Sequence, residues 1–450
     1  MRSTRHRRLL IPLAAAATVG LALTGCTGDT GGGGGGGEAA DCGPYEAYGT
    51  FDDGTEVSIY GTISDEEADR LNESWADFES CTGIDVVYEP SKEFETQINV
   101  RAQGGNPPNL AIFPQPGLLA AQATAGYLKP APDSVVANAT EFWSEDWQNY
   151  GIVDGTSYGA PLMASVKGYV WYSPSMFEDN GWEVPETLDD LMTLSQDIAA
   201  SGAVDKPWCV GFASGDATGW PGTDWVEDFV LRQAGPDVYD QWVTNEVKFT
   251  DEPITTAFDS VGEYIRNADF VNGGLGGVDS IATTEFGDAG LPILDGTCAL
   301  HHQATFYEGF WPEGTTVAPD GDVWAFLLPG TEAGANAVTG GGEIVAAYSD
   351  ADEVVAVQTY LSSDTWANNR VSLGGVISAN TGLDPENASS ALLSNAVSIL
   401  QDPETTFRFD ASDLMPGAVG SGSFWKGMVD WIGGKSTADT TKFIQDSWPQ

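Results

Sequence analysis

The sequence predicts an α/β protein with more than one domain, and three observations carry that prediction. The chain has 450 residues, a length whose prior is two or three domains. Hydrophobic residues make up 42% and aromatic residues 11%, ample for large packed cores. From residue 56 onward, short strand-like runs alternate with helical patterns, the order that builds a parallel sheet covered by helices.

The N-terminus comes first. An Arg-rich segment, Arg2 to Arg8, leads into the apolar run Leu9–Leu23, too short and too asymmetrically flanked for a transmembrane helix. The run ends in Leu23-Thr24-Gly25-Cys26, which looks like a bacterial lipobox. Residues 1–25 are therefore expected to be a signal peptide, with Cys26 acylated after cleavage. Residues 26–40 include seven consecutive glycines and read as a flexible tether with nothing to bury. A protein leashed to the outer face of the bacterial cytoplasmic membrane is the expectation.

Glu56-Val57-Ser58-Ile59-Tyr60 reads as a strand. Ser64-Asp65-Glu66-Glu67 reads as a capping box, with Ala68, Leu71, Trp75 and Phe78 following at helical spacing. A second strand (84–88), a second helix (94–102) and a third strand (109–113) complete a βαβαβ unit. Its ligand crevice should lie at the carboxyl ends of the strands, where Gln115 is the preferred polar contact. Asp154-Gly155 is a hairpin turn signal. The extended run 161–172 reads as a first crossing between lobes, 323–328 as a second and Gly374-Gly375 as a third. Thr187-Leu188-Asp189-Asp190 caps a helix, and Gly340-Gly341-Gly342-Glu343 is expected to precede another. No repeat of 20–50 residues is evident.

The stretch Ser214–Phe229 is the most unusual in the chain. It reads as a Gly/Pro-rich loop carrying Trp220, Asp224 and Trp225 before an apolar helical segment. A sugar ring has an apolar face that stacks on indole and a hydroxyl edge that needs donors and acceptors, so this composition suits a saccharide. The structural alternative is a hydrophobic staple at a helix start, with Thr223 or Asp224 as N-cap.

Charge and motif content exclude several functions. A formal charge of −48 repels phosphate backbones and anionic lipid, which excludes nucleic acid and any membrane contact other than a lipid anchor. Asp224, Glu227 and Asp228 are close in sequence, but with 66 acidic residues such clusters arise by chance and do not mark a glycosidase pair. There are only three histidines, one in the signal segment and two adjacent (His301, His302), so no zinc site and no cofactor are expected. Neither a nucleophile elbow nor a phosphate loop is present in workable context. With Cys26 lipidated, Cys42, Cys81, Cys209 and Cys298 remain. Four cysteines allow three pairings. Cys42–Cys81, whose members fall at one edge of the βαβ unit, and Cys209–Cys298 are the pairs expected.

Several blocks carry a family resemblance. The lipobox and tether, the βαβαβ start, Tyr169-Val170-Trp171-Tyr172-Ser173-Pro174, Pro207-Trp208-Cys209, 217–228, Cys298-Ala299-Leu300-His301-His302-Gln303-Ala304 and 408–430 are similar to carbohydrate-binding lipoproteins of ABC importers. The last four resemble the α-glucoside-binding branch of the family 1 extracellular solute-binding proteins. The resemblance implies a two-lobe, periplasmic-binding-protein-like α/β fold, each lobe a mainly parallel sheet flanked by helices, joined by hinge crossings. Residues 41–165 with 340–373 would form one lobe, and 166–339 with 374–450 the other. It implies a non-enzymatic, monomeric binder of an α-linked di- or oligosaccharide that serves ABC permease subunits. Trp220, Trp225, Phe306 and Trp425 are then candidates for stacking, and Gln115, Asp224, Gln303, Glu343 and Asp410 for hydrogen bonding, with Lys167 near the hinge. His302 stands where relatives usually have Arg, which removes a fork of donors. The competing readings are an exported glycoside hydrolase and a binder of a non-sugar solute.

Overall fold

The computed structural model describes residues 42–402 and 404–449. The expected signal peptide, the Cys26 lipidation site and the tether lie outside the described residues. Twelve strands follow in order: β1 (Thr55–Gly61), β2 (Ile84–Pro90), β3 (Leu110–Phe113), β4 (Ile152–Val153), β5 (Thr156–Ser157), β6 (Gly159–Val166), β7 (Tyr169–Tyr172), β8 (Lys206–Trp208), β9 (Cys298–Gln303), β10 (Trp324–Leu327), β11 (Ala337–Ala347) and β12 (Thr406–Phe409). Ten of them form a first sheet of order β12-β11-β3-β1-β2, with β6 also paired to β11, and a second of order β10-β7-β9-β8, while β4 and β5 pair with each other. Helices pack around both.

The βαβαβ start forms as its sequence pattern indicates, with β1 parallel to both β2 and β3. Val57, Ile59, Leu71, Phe78 and Ile112 are buried in its core. Ser64 does stand before a helix, Asp65–Glu73, but makes no side-chain cap to the backbone. Its hydroxyl donates to the Asp65 carboxylate instead, and Asp65 has φ +57°. The Thr187 capping box, in contrast, is complete: Thr187 accepts from the Asp190 amide, and the Asp190 carboxylate accepts from the Thr187 amide. The Asp154-Gly155 turn joins β4 to β5 with both residues at positive φ, the backbone that matches strand twist in a tight hairpin.

The run 161–172 is two strands. β6 lies in the first sheet and β7 in the second, with Lys167 and Gly168 between them. Gly168 has φ +73°, and a Cβ there would come within 2.8 Å of the Asp228 carboxylate. The second crossing candidate, 323–328, supplies β10 of the second sheet, and β11 then carries the chain into the first. Because β7 leaves the first sheet and β10 heads back, the two run antiparallel, and β7 also opposes β9. Only β8 on β9 is parallel there, so the second sheet departs from the mainly parallel order expected of it. The same geometry makes β11 antiparallel to β3 and β6.

Gly340-Gly341-Gly342-Glu343 lies inside β11, not immediately before a helix. A Cβ at Gly342 would sit 2.3 Å from the Met163 carbonyl, so glycine lets β6 approach this strand. The helix carrying Val354, Val357 and Leu361 begins later, at Asp352. Gly374 and Gly375 form a turn with φ +82° and +78°, after which Ile377 bridges to Ala164 of β6.

The tryptophan-rich stretch is also helical earlier than its composition indicates. The helix runs Trp220–Ala234, entered through Gly219 at φ +115° with no side-chain cap. Thr223 and Asp224 are thus inside the helix and not its N-cap. Cys42–Cys81 and Cys209–Cys298 are disulfides, with Cα–Cα separations of 5.4 and 5.8 Å. No helix among the described residues is long and apolar enough to cross a membrane.

Candidate ligand-binding site

The ends of β1 and β3, the end of β6 with Lys167, and the middle of β11 come together on one side of a cavity of about 230 Å³. The start of the Trp220–Ala234 helix, Phe286, Phe306 and Trp425 enclose it from the other. Eight residues singled out from sequence line it: Gln115, Lys167, Trp220, Asp224, Phe306, Glu343, Asp410 and Trp425. Residues as far apart in the chain as Gln115 and Trp425 are thereby gathered by the topology alone.

Trp225 and Gln303 do not line the cavity. An α-helix advances about 100° per residue, so Asp224 shares the face of Trp220 while Trp225 turns to the opposite side. Trp225 is 2% exposed and stacks on His302 at 4.3 Å and edge-on to Trp208 at 5.1 Å between ring centroids. Gln303, at the end of β9, folds back so that its Oε1 accepts from the Ala304 amide.

One wall is aromatic. The Trp220 ring lies 5.0 Å from Phe286 and 6.1 Å from Phe306, and Phe286 lies 5.2 Å from Phe310. The Lys167 ammonium stands 5.2 Å from the Trp220 ring centroid. Phe286 and Phe310 were not singled out from the sequence, although each adjoins a glycine in a polar stretch, Glu285-Phe286-Gly287-Asp288 and Glu308-Gly309-Phe310-Trp311-Pro312. Glu67, Lys92, Glu95 and Asp413 also line the cavity. Asp413 is the one whose sequence gave a hint, three residues after Asp410 on the same turn.

The floor is acidic and buried. The Lys167 Nζ donates to Asp224 Oδ1 at 3.0 Å and also to Asp410 Oδ2. Glu227 Oε1 accepts from the Ser412 amide at 3.1 Å. Burial pushes the Asp224, Glu227, Asp410 and Asp413 carboxyls above their usual range; neighbouring carboxylates add to this at Asp224, Glu227 and Asp413, while Lys167 and Glu227 oppose it at Asp410. Burial disfavours the Lys167 charge, but Asp224 and Asp410 outweigh it and hold the ammonium firmly protonated. Oxygens of Asp224, Glu227 and Asp410 lie within 4.8 Å of one another, close enough to hold a metal ion. The Lys167 ammonium already bridges two of the three, so a tethered cation takes the part a metal would play.

Behind the floor, Asp228 accepts from Arg232 Nη1 at 2.6 Å and from Thr339 Oγ1, and faces His302 Nε2 at 2.7 Å. Its carboxyl is held down at about 2: burial would raise it, but Arg232, His302 and Thr339 together prevail. This network ties the Trp220–Ala234 helix to β9 and β11. His302 therefore completes a buried cluster and does not face the cavity.

Three cavity-lining side chains carry a buried polar atom with no partner: Gln115 Oε1, Asp410 Oδ1 and Trp425 Nε1. Buried polar atoms are nearly always paired, so these open acceptors and this donor set the cavity apart from the packed core. The chain belongs to the bacterial extracellular solute-binding protein family, whose pattern matches residues 64–367. It is 40% identical to the alpha-glucosides-binding periplasmic protein AglE of Rhizobium meliloti, over 88% of this chain and 87% of that one. It is 39% identical to the osmoprotective compounds-binding protein GgtB of Synechocystis sp., over 89% and 94% of the two chains. Among solved structures it is similar to the bacterial solute receptor AcbH, with a TM-score of 0.73 over 87% of this chain and 98% of that one, at 17% identity. That likeness supports the two-lobe receptor fold.

Proposed function

We propose that this protein captures an α-glucoside or a related di- or oligosaccharide between its two lobes and delivers it intact to the membrane subunits of an ABC importer. The observation that carries this reading is the pairing, in one cavity, of the Trp220, Phe286 and Phe306 rings with the unpaired Gln115 Oε1, Asp410 Oδ1 and Trp425 Nε1. Indole and phenyl faces suit the C–H face of a pyranose, and open acceptors suit its hydroxyls. The name of AglE supports α-glucosides as the class to test, and that of GgtB adds osmoprotective compounds.

The protein acts as a monomeric receptor and not as an enzyme, held at the outer face of the membrane through Cys26. The lobes comprise 41–165 with 340–373 and 166–339 with 374–450, the last segment lending β12 and the Ile377 bridge to the first sheet. They close about the passages near Lys167-Gly168, Ala337–Gly340 and Gly374-Gly375, and ligand favours the closed form by binding it more tightly. A thermal-melt panel of the tether-free protein with sucrose, maltose, trehalose, maltosaccharides, glucosylated polyols and peptides tests the reading, since a ligand of the native state raises Tm by mass action. Stabilisation by an α-glucoside recovered unhydrolysed is the expected result. Stabilisation by peptides alone, or release of reducing sugar, contradicts it.

A further inference from the structure

Trp220, Asp224, Asp228 and Arg232 recur every four residues along the helix Trp220–Ala234, so they share one face of it. The first two line the cavity and the last two do not. Asp228 and Arg232 pair at 2.6 Å and are buried. Two chains of hydrogen bonds leave that pair, and both end on the short passage between β6 and β7. In one, the Thr339 hydroxyl of β11 donates to the Asp228 carboxylate, and the Thr339 carbonyl accepts from the Lys167 amide at 2.9 Å. In the other, Arg232 Nε donates to the Leu328 carbonyl at 2.9 Å, and the Leu328 amide donates to the Gly168 carbonyl at 2.6 Å. Gly168 itself lies against the pair: a Cβ there would stand 2.8 Å from both Asp228 carboxylate oxygens and 2.9 Å from Arg232 Nη2.

We infer that Asp228 and Arg232 are positioning residues for the saccharide site, holding the backbone of Lys167 and Gly168 so that the Lys167 ammonium reaches Asp224 and Asp410 in the cavity. This rests on the saccharide reading above. Lysine carries its charge on a flexible four-carbon stem, so the place of the ammonium depends on where the main chain delivers that stem. Here the Lys167 amide and the Gly168 carbonyl are both held by groups that trace to one ion pair. That pair stands about one turn along the same helix from Asp224, the carboxylate that the ammonium meets at 3.0 Å. The spacing between the two ends of the lysine is thus set within one rigid element. The same bonds cross-link the two places where the chain passes between the sheets, after β6 and after β10. His302 of β9, with Nε2 2.7 Å from Asp228 Oδ2, holds the carboxylate from the other side. Thr339 is the joint of this device, because its hydroxyl faces Asp228 while its carbonyl holds Lys167.

The test reads the lysine ammonium signals by nitrogen NMR in ligand-free protein, with the Lys167 signal assigned by its loss in Lys167→Met, together with calorimetric affinity for the best α-glucoside. Wild type is compared with Asp228→Asn, Thr339→Val and Thr339→Ser. Valine keeps the shape of the side chain and the backbone bond to Lys167 but removes the hydroxyl that faces Asp228, and serine keeps that hydroxyl. In Asp228→Asn and Thr339→Val the Lys167 signal shifts or is lost to faster exchange with water. Affinity falls about tenfold in both, the scale of effect a residue can exert without touching the ligand. Thr339→Ser keeps the signal and the affinity of wild type. An unchanged Lys167 signal or an unchanged affinity in both Asp228→Asn and Thr339→Val, whatever the loss of Tm, overturns the assignment. So does a Thr339→Ser protein that behaves like Thr339→Val. If Asp228→Asn does not fold, the two Thr339 variants decide. If wild type binds no sugar, the functional reading fails, and the ligand-free ammonium signals still decide whether Asp228 and Thr339 position Lys167.

Discussion

The Lys167 ammonium lies 3.0 Å from the Asp224 carboxylate and also touches Asp410, a residue 243 positions away in the chain. One side chain in the passage from β6 to β7 therefore ties the Trp220–Ala234 helix to the segment after β12. It also sits beside the Trp220 ring. The same cation organises the floor and the aromatic wall of the cavity.

Replacing Lys167 with Met leaves Asp224 and Asp410 without their cation. Removing one partner of a buried ion pair costs about 3–5 kcal/mol, which denaturant unfolding would read as a lower midpoint. Changing Asp224 and Asp410 to Asn in the Lys167→Met background should recover part of that loss. Additive losses in the multiple variant would contradict a shared network.

The two tryptophans of the same helix should separate cleanly. Trp220→Ala removes a cavity wall and is expected to weaken sugar binding at least tenfold, with a small change in Tm. Trp225→Ala opens a hole against Trp208, His302 and Phe229 and should cost about 3–5 kcal/mol of stability. A Trp225→Ala protein of normal stability and lost binding would reverse these roles.

Stability should be greatest in mildly acidic solution. Glu343 has a folded pKa of about 8 against a usual 4.5, so its contribution is fully present below 4.5 and is lost as pH rises through 8. The buried floor carboxyls act in the same direction. Asp228 is the opposite case, lowered to about 2 from 3.8, so its contribution is present above 3.8 and is lost as pH falls toward 2. A Tm that climbs steadily from pH 5 to pH 9 would contradict this balance.

The sequence was legible where local chemistry decides structure. The β1 to β3 alternation, the Thr187 capping box and the Asp154-Gly155 turn each depend on neighbours in the chain, and each formed. The cavity lining was legible where polar or aromatic residues sit in motifs, as with Asp224 and Asp410. Trp225 was misread because its composition resembles that of Trp220, and only the helix phase, set by an uncapped start at Gly219, turns it inward. Phe286 and Phe310 were passed over for another reason. Their roles arise from contacts across the fold, between segments that no spacing rule connects. The glycines of β11 were expected just before a helix, whereas what they accommodate is the neighbouring strand β6.

The most direct measurement is calorimetric titration of the tether-free protein, wild type and Trp220→Ala, with the α-glucoside that stabilises it best. Wild type is expected to show saturable one-to-one binding and to return the sugar intact, and Trp220→Ala to bind at least tenfold more weakly. Binding of undiminished strength in Trp220→Ala would place the ligand elsewhere, and no heat from any sugar would contradict the central claim.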